Sequence, residues 1–410
     1  LHRIHAAKIP EKEDFEVMQS ISTFRCKLNR SSLRSFFTGL ISPQKRRMPT
    51  SALTLVILAC VIAGTSNAQK KGPHQLSLET HYGFMIPHRT IIRDVLVDNS
   101  FGGTLAAEWK VSGQKRWHHL YRRPVYGLEF CFADLGNPQE LGQQYSLSST
   151  IRLPLGKSQR MRHHVLTGLG LGYSTVQWDL EENIKGITIG SALNFTLSLG
   201  YYFDQPISER VELFGGLRIT HLSNGAVALP NLGTNNVSLV LGARLNRRPD
   251  FVPENPVFLA YLPRPRNIYA FLTTGIKENS PPGGPLFFVH TASVSYEHRR
   301  NWKTSFFVRA DLFANTAIRP LLQRDGVATG KGSDILQGGI GIGYAKHFGR
   351  LRFDMMMAMY VVNRFEGNGR FYHRFNFRYT ISERWLAQVG LKTHLARADH
   401  PEVGLIYKIY

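Results

Sequence analysis

Cysteine is nearly missing from this chain: Cys26, Cys60 and Cys131 are the only three in 410 residues. They allow no disulfide framework, and only Cys131 lies beyond the segment argued below to be removed. Charge is scarce too, at 19% of residues, and negative charge scarcest, with 29 Asp and Glu against 50 Lys and Arg, a formal net +21. That excess favours an anionic partner: nucleic acid, a membrane surface or an acidic ligand. Past residue 68 no apolar run reaches the length of a spanning helix, which excludes a helical membrane protein. Helical periodicity is missing there as well. What the chain does have is 43% hydrophobic residues, 11% aromatics and 37 glycines, too apolar for a disordered polymer and too long for one small domain.

An export signal is the first positive feature. Lys45-Arg46-Arg47-Met48 precedes an apolar core over 52–64, followed by Ser66 and Ala68, small residues placed for cleavage after Ala68. Residues 48–68 therefore read as a signal peptide, and 1–47 as an upstream extension outside the mature protein. Export removes nucleic acid as a partner. The residues after Ala68 keep 40 Lys and Arg against 25 Asp and Glu, so the basic excess survives.

The remainder reads as strands. Alternation or β-branched and aromatic enrichment marks 76–86, 101–111, 124–134, 143–155, 163–173, 191–203, 211–223 and 237–245. A proline-rich linker over 248–266 follows, then eight more segments at 268–276, 287–296, 302–313, 336–348, 351–362, 371–380, 385–395 and 403–410. Strands of about ten residues after a signal peptide predict an all-β, outer-membrane antiparallel barrel. The face chemistry agrees. Odd positions of 211–223 carry Val211, Leu213, Leu217 and Ile219, while even ones carry Glu212, Arg218 and Thr220. A soluble sandwich would bury the apolar row and solvate the polar one.

The pattern also repeats. Ile207-Ser208-Glu209-Arg210 before Leu217-Arg218-Ile219-Thr220-His221 is echoed by Ile381-Ser382-Glu383-Arg384 before Leu391-Lys392-Thr393-His394. An eight-strand unit over 69–247 is thus followed by a second strand-rich unit over 267–410. Two tandem barrels and one larger barrel both satisfy the repeat.

Chemistry concentrates at His221. Two residues apart on a strand, His221 and Ser223 project from one face, and a histidine beside a serine is the minimum for nucleophilic attack on an ester. Both continue the odd, lipid-facing row, where a polar pair has no structural excuse. With the N-terminus periplasmic, the seventh strand runs outward and brings the pair to the outer leaflet. His118-His119 and His163-His164 are adjacent, so each pair points to opposite faces and makes a poor metal site. Glu181-Glu182 lacks a partner, and His394 falls on the even row, with Ala396 where a serine would be needed.

In His221-Leu222-Ser223-Asn224 and Pro230-Asn231-Leu232-Gly233 the chain resembles the outer-membrane lipid A 3-O-deacylases of the PagL type and their acyloxyacyl-hydrolase-like relatives. The likeness covers roughly 69–247. It implies an eight-strand barrel that removes an ester-linked acyl chain from lipid A, with Ser223 as nucleophile, His221 as general base and Asn224 as oxyanion-hole donor. The family's third member, a Glu two residues past the Gly, falls here on Asn235. An asparagine can orient the imidazole through its carbonyl but supplies no charge to stabilise imidazolium. The expectation is a serine-type ester hydrolase of the cell outer membrane, with lipopolysaccharide as its partner and no metal or organic cofactor. The rival is a non-enzymatic barrel, structural or for transport, with a vestigial motif.

Overall fold

A computed structural model describes residues 72–156, 161–248, 251–258, 265–395 and 397–410. The expected signal peptide and upstream extension lie outside these residues, as do parts of the expected linker. The described chain forms β1 (Gln75–Met85), β2 (Ser100–Lys110), β3 (Val125–Asp134), β4 (Gln143–Leu155), β5 (Arg162–Ser174), β6 (Leu193–Pro206), β7 (Val211–Ser223) and β8 (Thr234–Asn246). A second set follows: β9 (Arg266–Glu278), β10 (Leu286–Arg299), β11 (Thr304–Asn315), β12 (Leu336–Phe348), β13 (Leu351–Val362), β14 (Phe371–Thr380), β15 (Trp385–His394) and β16 (Arg397–Lys408).

Every neighbour pairs antiparallel, and each set closes on itself. β8 returns to β1 with Leu78 opposite Ala243, and β16 returns to β9 with Leu405 opposite Leu272. The tandem arrangement is therefore the observed one, and the single larger barrel is not. Closure leaves no unpaired edge to face lipid.

Some boundaries differ from the sequence reading. β16 starts at Arg397, well before 403, because Asp399, His400, Pro401 and Glu402 hide a strand whose polar groups are buried. Two short helices, α1 (Arg116–Leu120) and α2 (Ile318–Arg324), were not anticipated; neither is long enough to show a period.

Connections 207–210, 300–303, 349–350 and 381–384 are short and share one end, whereas 86–99, 175–192, 224–233 and 316–335 crowd the other. Outer-membrane barrels keep short turns periplasmic and long loops extracellular, so loop 224–233 is extracellular. The walls are inverted relative to a soluble protein: Leu241 on the outer face is 71% exposed, whereas Arg218 in the lumen is 1% exposed.

The lumens are filled with ion pairs. Arg218 donates to Glu79 Oε1 at 2.9 Å, to Ser198 Oγ at 2.9 Å and to both oxygens of Glu129. Arg374 donates to Asp311 at 2.7 Å and to Glu402 at 2.6 Å in the second barrel. Arg218→Ala would leave Glu79 and Glu129 buried without their cation. We expect a loss of about 3–5 kcal/mol in urea unfolding from detergent micelles, the usual cost of breaking one side of a buried network. A change below about 1 kcal/mol, the range of exposed pairs, would mean that water reaches these carboxylates.

Contacts between the barrels occur at both ends. At the periplasmic end, Tyr121 just past α1 stacks on Phe348 with centroids 4.5 Å apart, and the Arg116 guanidinium lies 4.7 Å from the Trp302 ring. Burial lowers the pKa of His118 in α1 to about 4, so the ring stays neutral and accepts from Gly113 N at 3.2 Å. At the extracellular end, Leu229 N donates to Glu278 Oε2 at 2.6 Å and Glu278 N to Ala226 O at 3.0 Å. Glu278 ends β9, so the second barrel grips the loop that leaves β7.

Candidate active site

The register of β7 and β8 sets His221 directly opposite Asn235. Side chains alternate across a strand, so both stand on the outer wall, and they bond there: His221 Nδ1 and Asn235 Oδ1 are 2.8 Å apart. A carbonyl oxygen only accepts, so Nδ1 carries the proton and Nε2 is left with its lone pair. The imidazole rests against Gly233, where φ is +78° and a Cβ would come 2.7 Å from His221 Cε1. A larger residue at Gly233 would occupy the ring's place.

Ser223 is the last residue of β7, on the same outer row. Its Oγ accepts from Asn231 Nδ2 at 2.9 Å and from Gly225 N at 3.1 Å, and the hydroxyl is turned towards Asn231 Oδ1 at 3.2 Å. The structure therefore brings His221 to Asn235 and Ser223 to Asn231, with the two pairs adjacent on one wall. Two N–H donors on Oγ lower the cost of negative charge there.

Asn224 faces inward and is buried. Its amide donates to Ser191 Oγ at 2.9 Å and Ala228 O at 2.8 Å, and its Oδ1 accepts from Ala226 N at 3.0 Å. These bonds tie loop 224–233 to the β5–β6 connection. Both amide hydrogens are engaged in that scaffold, and the donors aimed at Ser223 are Asn231 Nδ2 and Gly225 N.

Three residues escaped the sequence reading in these roles. Asn231 belongs to the quoted Pro-Asn motif, but nothing in its spacing assigned it to Ser223. His88 bonds to Asn235, with Nδ1 2.9 Å from Asn235 Nδ2; it continues the outward even row of β1, which was a usable signal. Glu278 comes from the other barrel and had none. Of the remaining candidates, His163 meets Tyr201 at 2.9 Å on the outer wall and His164 meets Asp204 at 2.9 Å in the lumen, on opposite faces. His394 is buried in the second lumen against Tyr360 at 2.9 Å.

Two sealed barrels with apolar outer walls and charged lumens define an outer-membrane β-barrel protein. Comparison of the sequence with known families gives two matches: lipid A 3-O-deacylase (PagL) over residues 101–244, and acyloxyacyl hydrolase, C-terminal domain, over residues 266–410. Together they span most of the chain, which belongs to this outer-membrane lipid A deacylase family. The second barrel thus matches in its own right and not only through the internal repeat. A search of curated proteins finds no significant match. Among solved structures, Neisserial surface protein A is 10% identical, covering 42% of this chain and 96% of its own, with a TM-score of 0.30. The outer membrane enzyme PagL is 16% identical, covering 40% of this chain and 97% of its own, with a TM-score of 0.28. A Rhodopseudomonas blastica porin mutant is 8% identical, covering 82% and 99%, with a TM-score of 0.16.

Proposed function

We propose that this protein hydrolyses an ester-linked acyl chain of lipid A in the outer leaflet, with Ser223 as nucleophile and His221 as general base. The observation that carries the reading is the His221 Nδ1–Asn235 Oδ1 bond beside Ser223, on the lipid-facing wall at the extracellular end. A general base there meets ester bonds at the membrane surface, where a structural histidine has nothing to do.

In the proposed reaction, rotation of the Ser223 hydroxyl away from Asn231 Oδ1 presents its proton to His221 Nε2. Oγ then bonds to the acyl carbon, and the carbonyl oxygen becomes an oxyanion beside Gly225 N and Asn231 Nδ2. Collapse breaks the bond from the acyl carbon to the sugar oxygen, which takes the proton from imidazolium. Water, deprotonated by the same Nε2, releases the fatty acid and restores Ser223. Asn224 serves by holding the loop that presents these donors, and Asn235 by orienting the imidazole. The rival reading as a transport barrel is disfavoured by lumens occupied by the fully buried Arg218, Arg309, Arg374 and Arg378.

The test is purified protein with lipopolysaccharide, read by mass spectrometry of lipid A. Loss of one acyl chain, with labelling of Ser223 by a lipid phosphonate, is the expected result; intact lipid A and no labelling would favour the non-enzymatic barrel. Asn235 offers a graded check. Asn235→Ala should lower the rate about 10²-fold, the lower end of what a positioned general base contributes. Asn235→Glu should raise it near neutral pH, because an ionised carboxylate stabilises the developing imidazolium, and more so in a low-dielectric setting. Wild-type activity in Asn235→Ala would make Asn235 a strand residue with no part in orienting His221.

A further inference from the structure

His221 works as a base only if its Nδ1 is the protonated nitrogen, and Asn235 alone does not secure this. An asparagine is two-faced: turned by 180° about its last torsion, it would offer an amide N–H to Nδ1 and drive the proton to Nε2, leaving no base beside Ser223. Something must choose the face.

We propose that His88 makes the choice, as the positioning residue that fixes Asn235 and through it the tautomer of His221; the inference rests on the reading of His221 as general base. The chain of bonds starts at a group that can only accept. His88 Nε2 lies 3.0 Å from Leu232 O, so Nε2 bears a proton and donates. In neutral imidazole that leaves Nδ1 as an acceptor. The Asn235 atom 2.9 Å from this Nδ1 must then be the amide nitrogen, which turns Oδ1 towards His221 at 2.8 Å. His221 Nδ1 therefore donates, and Nε2 is free to take a proton. The Ile86 carbonyl also reaches His88 Nδ1, but at 3.4 Å against 2.9 Å for the Asn235 amide it is the weaker of the two partners.

Turning the relay over would set Nε2 of His88 against the Leu232 oxygen, lone pair to lone pair. Leu232 is held in place for this. Its side chain packs on the cluster of Met85, Ile92, Val95, Leu135 and Leu141, and Ile92 and Val95 belong to the 3-10 turn Thr90–Val95 that follows His88. One small apolar core thus locks both ends of the His88–Leu232 bond. Ile86 N, bonded to Asn235 O at 2.8 Å, fixes the approach of the β1 extension to β8. A carboxylate accepts with either oxygen and needs no such arbiter. His88 is the device that lets an asparagine serve as the orienting group.

The experiment is epistasis in the full-length protein with lipopolysaccharide as substrate. His88→Ala should lower kcat by about tenfold or more with little change in KM, since it removes a requirement of the base and no binding contact. In the Asn235→Glu background the same replacement should cost less than about threefold, because the carboxylate has no wrong face. Wild-type kcat in His88→Ala overturns the proposal, and so does an equal loss in both backgrounds, which would make His88 a structural or substrate-binding group. A readout independent of turnover comes from 15N shifts of the His221 ring. They should report a protonated Nδ1 in the wild type and a mixture of tautomers in His88→Ala; an unchanged pattern in the variant overturns the proposal. Failure of the underlying reading shows separately, as activity retained by Ser223→Ala.

Discussion

Alanine at Ser223, and separately at His221, is expected to reduce fatty-acid release from lipopolysaccharide by at least about 10³-fold while leaving the barrel folded. Ser223 has no apolar packing to lose. Its removal forfeits the bonds from Asn231 and Gly225, worth about 1 kcal/mol each at most in a half-exposed setting. His221 sits on the outer wall, opposite Asn235, and the strand ladder passes through its backbone regardless of its side chain. In the proposed mechanism nucleophile and base act in one step, so the double variant should be little slower than either single one. Activity is read by mass spectrometry and folding by the heat-dependent shift in gel mobility. A Ser223→Ala protein that still deacylates would remove Ser223 as nucleophile.

Gly233→Ala is the second large effect, and it separates kinetics from stability. The backbone at Gly233 is left-handed, which costs an alanine about 1–2 kcal/mol. The added methyl would also stand 2.7 Å from His221 Cε1 and 3.1 Å from Leu222 O. The backbone oxygen is held in the sheet, so the imidazole gives way. A displacement of about an ångström in a catalytic group costs on the order of 10²-fold in rate. The expected signature is a modest shift in urea unfolding alongside a far larger fall in kcat. Activity within about threefold of wild type would show that the imidazole does not depend on Gly233 for its position.

The strands were readable because nearly every one carries a period of two, with lumen arginines and carboxylates alternating against leucine and aromatic rows. β16 was the exception at its start, since Asp399, His400, Pro401 and Glu402 look like a loop until their burial against Lys277, Lys392 and Arg374 is known. At the site, His221 and Ser223 were singled out by their spacing on one row, and Asn235 only by the family resemblance, its odd position on β8 agreeing. His88 was readable only as a polar residue continuing the outward even row of β1; its partnership with Asn235 was not, because β1 lies beside β8 only once the sheet has closed. That adjacency is a property of closure and has no local signature. Glu278 was further out of reach, since its contact with Leu229 depends on how the two barrels meet. The repeat showed that a second unit exists, and only three-dimensional contact showed that it holds the loop bearing Asn231.

The joint between β8 and β1 has a meaning in time as well as in space. His221 and Asn235 come from the last hairpin of the first barrel, whereas His88 arrives from its opening strand, more than a hundred residues earlier in synthesis. While the two ends remain apart, Asn235 is free to turn either face to His221 and the base has no defined tautomer. On the proposed reading, a chain whose first barrel is not yet closed carries Ser223 without a defined base. On that same reading, sealing the cylinder and fixing the base become one event, and hydrolysis begins only where the finished barrel stands.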